Sequence, residues 1–223
     1  ILKRHYTFWF CTLGLNKIGA VTIPATHLLS TKDIIYRNNA ADIKMIVCVS
    51  DPDVIQHIEE SESSSPSLKS KALVGPGKDG WIDFQKGLEE SPEGFTRPGP
   101  EEQVRNDDTM LLYFTSGTTG MPKMVTHDYT YPLGHIVTAR YWQCVQDNGL
   151  HFTIADTGWA KSAWGKIYGQ WIAGSAVMTY DYDRFVPKDI LGVIEKYRVT
   201  TFCAPPTIYR FLIKEALGSF DLS

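Results

Sequence analysis

Residues 43–49 read IKMIVCV, an almost unbroken apolar run. A strand with one wet face alternates polar and apolar residues. A run of this kind instead suits a strand covered on both sides, as in a parallel sheet. Asp51-Pro52 follows at once and opens a helix. The second half repeats the theme: strands are expected at 111–114, 151–154, 176–180 and 199–204. Helices are expected at 129–144, 160–172 (broken by glycines), 187–197 and 207–217. Ile190, Val193, Ile194 and Tyr197 share one face of the third of these. Upstream, Phe8, Cys11, Leu15 and Ile18 recur at helical spacing, and residues 20–23 read as a short strand stopped by Pro24. Ser30-Thr31-Lys32-Asp33 starts a helix that runs to about residue 41. Residues 72–74 read as a strand and 81–88 as a weak helix. Such alternation predicts the α/β class, with mostly parallel sheets covered by helices and right-handed crossovers.

Composition bounds the rest. A hydrophobic fraction of 43% and a charged fraction of 21% exclude wholesale disorder. A formal charge of -3 argues against a nucleic-acid partner. Cys11, Cys48, Cys144 and Cys203 are far apart and form no CxxC pair, so small buried hydrophobes are expected and neither a disulfide nor a metal site. A reducing, cytoplasmic location is the corresponding expectation. No stretch approaches the roughly 18 apolar residues of a membrane helix. The chain opens inside an apparent helix, without an initiator Met or a signal-peptide layout, and is expected to be part of something longer. Residues 59–107 are Ser-, Pro-, Gly- and acid-rich. They suggest a division into 1–100, a first α/β portion with a peripheral connection, and 101–223, a second α/β portion.

The feature richest in chemistry is Thr115-Ser116-Gly117-Thr118-Thr119-Gly120-Met121-Pro122-Lys123, directly after the strand LLYF. Glycines let backbone N–H groups converge, hydroxyls add donors, and the lysine supplies charge for phosphate oxygens. It is not a Walker loop, because Met121 and Pro122 separate the second glycine from the lysine. A plain polar turn would not need four hydroxyls and a lysine. Gly75-Pro76-Gly77-Lys78-Asp79-Gly80 matches G-x-G-x-x-G, yet a weak short helix and a Pro/Gly/acidic stretch follow it, so a plain turn is expected there.

Residues 111–127, LLYFTSGTTGMPKMVTH, resemble the phosphate-loop signature of the adenylate-forming enzymes. These include the acyl-CoA synthetases, the luciferases and the adenylation domains of peptide synthetases. LGLNKIGAVTIPATHLL (13–29) is similar to that family's K-x-G-A-V-x-x-P segment. ADTGWAKSAWGKIYGQWIAGS (155–175) and Ala204-Pro205-Pro206-Thr207-Ile208-Tyr209-Arg210 resemble the D-x-G-W and A-P-P-x-x-Y-R segments of the medium-chain acyl-CoA synthetases. The resemblance implies the fold of the large N-terminal domain of such an enzyme. It also implies a two-step reaction on a small carboxylic acid, a medium-chain fatty acid in particular, with ATP, Mg2+ and CoA.

By the same resemblance, Thr115, Ser116, Gly117, Thr118, Thr119, Gly120 and Lys123 surround the ATP phosphates, and Trp159 lies beside the acyl pocket. A core tryptophan is the competing reading of Trp159. His127 reads as a strand-end histidine, Asp156 as a helix cap, and Lys161 and Lys166 as solvated surface lysines. No catalytic residue is assigned. The family's adenine loop, its Y-G-x-T-E motif, its ribose-binding acid and its C-terminal lysine have no counterpart after the A-P-P segment; Tyr168-Gly169-Gln170 lacks the Thr-Glu and precedes it. The chain therefore reads as an internal piece of the N-terminal domain, expected not to complete acyl-CoA synthesis alone. A nucleotide-binding phosphotransferase and a non-catalytic nucleotide-binding domain are the competing functions.

Overall fold

The computed structural model describes residues 1–115 and 120–222. The chain divides into two compact units, Ile1–Tyr129 and Thr130–Ser223. The Pro-, Gly- and acid-rich stretch around 91–108 lies inside the first.

In the first unit, α1 (Thr7–Lys17) is followed by α2 (Thr31–Ala40), β1 (Met45–Val49) and α3 (Pro52–Ser61). After a 3-10 turn come β2 (Ser70–Val74), β3 (Ile82–Asp83) and α4 (Phe84–Glu89), then β4 (Thr109–Thr115) and β5 (Lys123–Asp128). Local chemistry fixes the helix starts. Ser30 caps α2 in a capping box with Asp33, and Asp51 caps α3 through the N–H groups of Asp53 and Val54, with Pro52 in the first turn. β1, β2 and β3 form a parallel sheet with Cys48 opposite Leu73. Ile34 of α2 and Val54 and Ile58 of α3 join Ile46, Cys48, Leu73 and Trp81 in one core. Burial along β1 alternates: Ile46 and Cys48 are buried, Val47 and Val49 half-buried, and Met45 exposed. Its second face is thus only partly covered, less than the apolar run implies.

Residues 20–23 make no full strand. Thr22 instead forms one parallel bridge to Leu111, with backbone bonds from Thr22 N–H to Met110 O and from Leu112 N–H to Thr22 O, both 2.9 Å. β4 pairs antiparallel with β5, with a register irregularity between Thr109 and Leu111. Within KMVTHD the sequence marks only His127 as a strand-end residue, because the segment is mostly polar, and the structure leaves most of it exposed.

The second unit runs α5 (Tyr131–Val137), a π-helical turn Thr138–Trp142, β6 (Leu150–Thr153), α6 (Ala160–Lys166) and α7 (Tyr168–Ile172). It continues through β7 (Ala176–Val177), α8 (Pro187–Tyr197), β8 (Thr201–Cys203) and α9 (Pro206–Leu212). Its sheet has the order β7-β6-β8, all parallel, over a core of Phe152, Ile154, Ile190, Leu191 and Leu212. The expected break in the 160–172 helix falls at Ile167, whose φ of -129° and ψ of -80° interrupt the helical ladder. Gly169 lets α7 meet α5: a Cβ there would lie 2.2 Å from the His135 carbonyl oxygen.

Candidate functional site

The phosphate-loop motif sits between the two strands of the β4–β5 hairpin. β4 is rooted in the interior, with Met110, Leu111, Leu112 and Tyr113 all buried. Thr115 closes β4 and Lys123 opens β5, and the register makes them cross-strand partners. The Thr115 hydroxyl donates to the Lys123 carbonyl at 3.5 Å. Lys123 is exposed. Gly120 has a φ of +139°, a conformation that other residues rarely adopt, and a Cβ there would meet nothing within 4 Å. It is the backbone conformation and not crowding that calls for glycine. Ser116, Gly117, Thr118 and Thr119 lie outside the described residues.

Helix α2 braces both sides of this hairpin, which the sequence did not suggest. The Tyr36 hydroxyl donates to the Pro122 carbonyl at 2.8 Å. The Tyr36 ring meets Phe114 edge-on, 6.1 Å between centroids, and the Arg37 guanidinium lies 4.7 Å from the centre of the same Phe114 ring. Burial lowers the Arg37 pKa, opposed by the charge of Asp33. Arg37 and Asn38 also border a cavity of about 400 Å³, walled largely by apolar side chains of α1, α2, residues 20–25 and β1.

The decoy loop fails structurally. Gly75 follows β2, but the chain runs straight into β3, with no intervening helix whose N-terminus could face a pyrophosphate. Gly75 is needed because its φ is +126° and a Cβ would meet Ser50 at 2.8 Å.

The D-x-G-W segment forms the loop between β6 and α6. Asp156 closes a tight turn: its carboxylate accepts from the Gly158 N–H at 2.8 Å, and its carbonyl from the Trp159 N–H at 3.2 Å. Asp156 therefore caps the turn and not the helix, since Trp159 occupies the N-cap position of α6. Trp159 is 59% exposed, which excludes the core reading.

Lys166 departs most from expectation. The sequence reads it as a solvated surface lysine, yet it is 2% exposed. Its ammonium donates to the Thr153 carbonyl at 3.3 Å and to the Ala155 carbonyl. Burial of an ammonium is costly without such acceptors, so its position is specific. Lys161, by contrast, is half-buried. His127 is half-buried on β5, and burial lowers its pKa against the opposing charge of Asp128.

His151 is fully buried on β6. Its Nδ1 is 2.7 Å from the Thr201 hydroxyl and its Nε2 is 2.8 Å from the Thr153 hydroxyl. Thr153 spends its one proton on the Gly165 carbonyl. It must then accept from Nε2–H, which leaves Nδ1 to accept from Thr201. Neutrality agrees: burial, reinforced by the charge of Lys166 and opposed by the Gly165 carbonyl, pushes the His151 pKa down to about 4.

All four cysteines are free. Cys48 is buried and Cys11 and Cys203 half-buried, and burial pushes the Cys11 and Cys48 thiols up to about 11; Cys144, which sits in no apolar run, is exposed. Among the described residues, no three His, Cys, Asp or Glu side chains gather as a metal site, and no helix is long and apolar enough to cross a membrane.

Comparison with known proteins agrees with this geometry. The model of the AMP-binding enzyme family matches residues 1–222. The chain is 34% identical to the mitochondrial acyl-coenzyme A synthetase ACSM4 of Rattus norvegicus, over 99% of this chain and 37% of that protein. It is 32% identical to the human mitochondrial synthetase ACSM3, with the same two coverages. The chain thus spans 37% of the length of these curated relatives. Among solved structures, an acyl-CoA synthetase of Brucella canis superposes with a TM-score of 0.82 at 22% identity, over 96% of this chain and 38% of that one. An anthranilate CoA ligase, AuaEII, in complex with anthranoyl-AMP gives 0.85 at 21% identity, over 95% and 40%. At such identities these structures establish the fold, an α/β arrangement of mostly parallel sheets covered by helices, as in adenylate-forming enzymes. The expected cytoplasmic location does not stand, because the ACSM relatives are named mitochondrial. The match along essentially its whole length, together with the TSGTTGMPK motif, establishes that the chain belongs to the AMP-binding enzyme family.

Proposed function

We propose that the protein containing these residues is an AMP-forming acid–thiol ligase. A carboxylate oxygen attacks the α-phosphorus of ATP, the bond to the β-phosphate breaks, and pyrophosphate leaves. The CoA thiol then attacks the acyl carbon of the mixed anhydride and displaces AMP. The observation that carries this reading is the β4–β5 hairpin, which fixes Thr115 and Lys123 as partners on either side of the glycine- and hydroxyl-rich motif. In this reading Thr115, Ser116, Gly117, Thr118, Thr119, Gly120 and Lys123 hold the β- and γ-phosphates. Lys123 offsets charge that grows on the departing pyrophosphate, which accelerates the step without covalent participation. Magnesium enters as the counter-ion of ATP. Trp159, exposed at the head of α6, offers an apolar wall to the acid. The likeness of residues 155–175 and 204–210 to medium-chain synthetases supports a medium-chain fatty acid as the acid, and the names of the ACSM relatives support a mitochondrial location.

The test is carboxylate-dependent ATP–pyrophosphate exchange by the full-length protein, with acids from acetate to decanoate plus benzoate. Exchange that peaks at medium chain length is the expected result. ADP release in place of pyrophosphate would overturn the reading. In the same assay Lys123→Ala is expected to lower kcat/KM for ATP by about two orders of magnitude, the scale of losing one charge-stabilising donor. The isolated 223 residues are expected to form no thioester.

A further inference from the structure

Residues 154–165 leave the end of β6 and return to it, and the return is tied by a buried ammonium. Thr153 and Ala155 stand at the start of the excursion and Gly165 and Lys166 at its end. Three hydrogen bonds join the two ends: Thr153 hydroxyl to Gly165 carbonyl, and Lys166 ammonium to the carbonyls of Thr153 and Ala155. Close packing makes the juncture tight, since a Cβ on Gly165 would lie 3.1 Å from the Thr153 methyl. Ala155 immediately precedes Asp156, whose carbonyl receives the Trp159 N–H at 3.2 Å; the Trp159 carbonyl in turn receives the Ser162 N–H at 2.8 Å. A continuous run of short contacts therefore leads from the Lys166 ammonium to the backbone of Trp159.

We propose that Lys166 is a positioning residue for acid selection, holding the 155–159 turn so that Trp159 keeps one orientation toward the acyl chain. The proposal rests on the acid-ligase reading and on the place given there to Trp159. An aliphatic side chain of similar length would fill the volume but release two carbonyl acceptors, and a turn freed at its base allows the indole to shift. A shift of about 1 Å in a substrate-positioning group is enough to change turnover substantially. The residues proposed to hold the ATP phosphates, Thr115 to Lys123, fall in the other unit, so KM for ATP should be insensitive to Lys166.

The experiment compares Lys166→Met, Lys166→Gln and Trp159→Ala with the unaltered full-length protein in pyrophosphate exchange, scanning acid chain length and measuring KM for acid and for ATP separately. Lys166→Met is expected to raise KM for the preferred acid about tenfold and to flatten the chain-length profile, with KM for ATP within about twofold of the original. Lys166→Gln retains one amide donor for a carbonyl and should restore part of the profile, and it serves in place of Lys166→Met if that variant does not fold. An unchanged acid profile in folded Lys166 variants would overturn the proposal. So would parallel rises in both KM values with a lowered Tm, the mark of a structural role alone. Failure of the underlying reading looks different: no acid-dependent exchange in the unaltered protein, or no effect of Trp159→Ala on the acid profile.

Discussion

Tyr36 shows how much of the proposed phosphate site rests on a residue outside the motif itself. Its hydroxyl reaches the carbonyl of Pro122, one residue before Lys123. A typical hydrogen bond contributes about 1 kcal/mol net. Tyr36→Phe should therefore raise KM for ATP about fivefold while KM for acid holds, as read by steady-state kinetics on the full-length protein. His151 acts on stability. Its pKa is near 6.5 when unfolded and about 4 in the fold, so the unfolded chain takes up the proton first. Stability is thus fully present above pH 6.5 and lost as the pH falls from 6.5 toward 4, by about 3 kcal/mol at most. Denaturant titration at a series of pH values should show this loss, and His151→Gln should flatten it. Neither residue advertises its role in sequence. Tyr36 lies 86 positions from its acceptor, and His151 reads as one of two polar residues in a short strand.

At the scale of elements, what is legible is what local chemistry encodes. Ser30 with Asp33, Asp51 with Pro52, and Pro187 at the head of α8 each mark a helix start that the structure places where expected. β5 and Lys166 are illegible for the opposite reason, because both owe their state to tertiary partners. KMVTHD is a strand only because β4 offers it a ladder, and Lys166 is buried only because carbonyls at the end of β6 accept its protons. The motif, being contiguous, declares itself; its brace on α2 does not. The break at Ile167 has an analogous origin, since α7 must turn to bring Gly169 against α5. Gly169→Ala would set a methyl 2.2 Å from the His135 oxygen and 2.8 Å from the Ala139 Cβ. It should cost about 3 kcal/mol, measured as a shift in the denaturant midpoint at constant slope.

At the scale of the whole molecule, each unit has its own core, with Cys48, Ile58 and Leu73 at the centre of one and Phe152, Ile190 and Leu191 at the centre of the other. The residues assigned to phosphate fall in the first and Trp159 in the second. Defects in ATP handling and in acid choice should therefore separate genetically. The hairpin itself is asymmetric: β4 is sunk in the interior while most of β5 is open to solvent. Amide hydrogen exchange on the full-length protein should find 110–113 among the slowest sites and 123–126 markedly faster, with nucleotide slowing the second group more than the first. The anchored strand ends in threonine and the loose one begins with lysine. The positive charge is thus carried on the solvent-facing strand of the hairpin, so in the proposed reaction the departing pyrophosphate would leave past exposed residues and the buried strand would stay undisturbed.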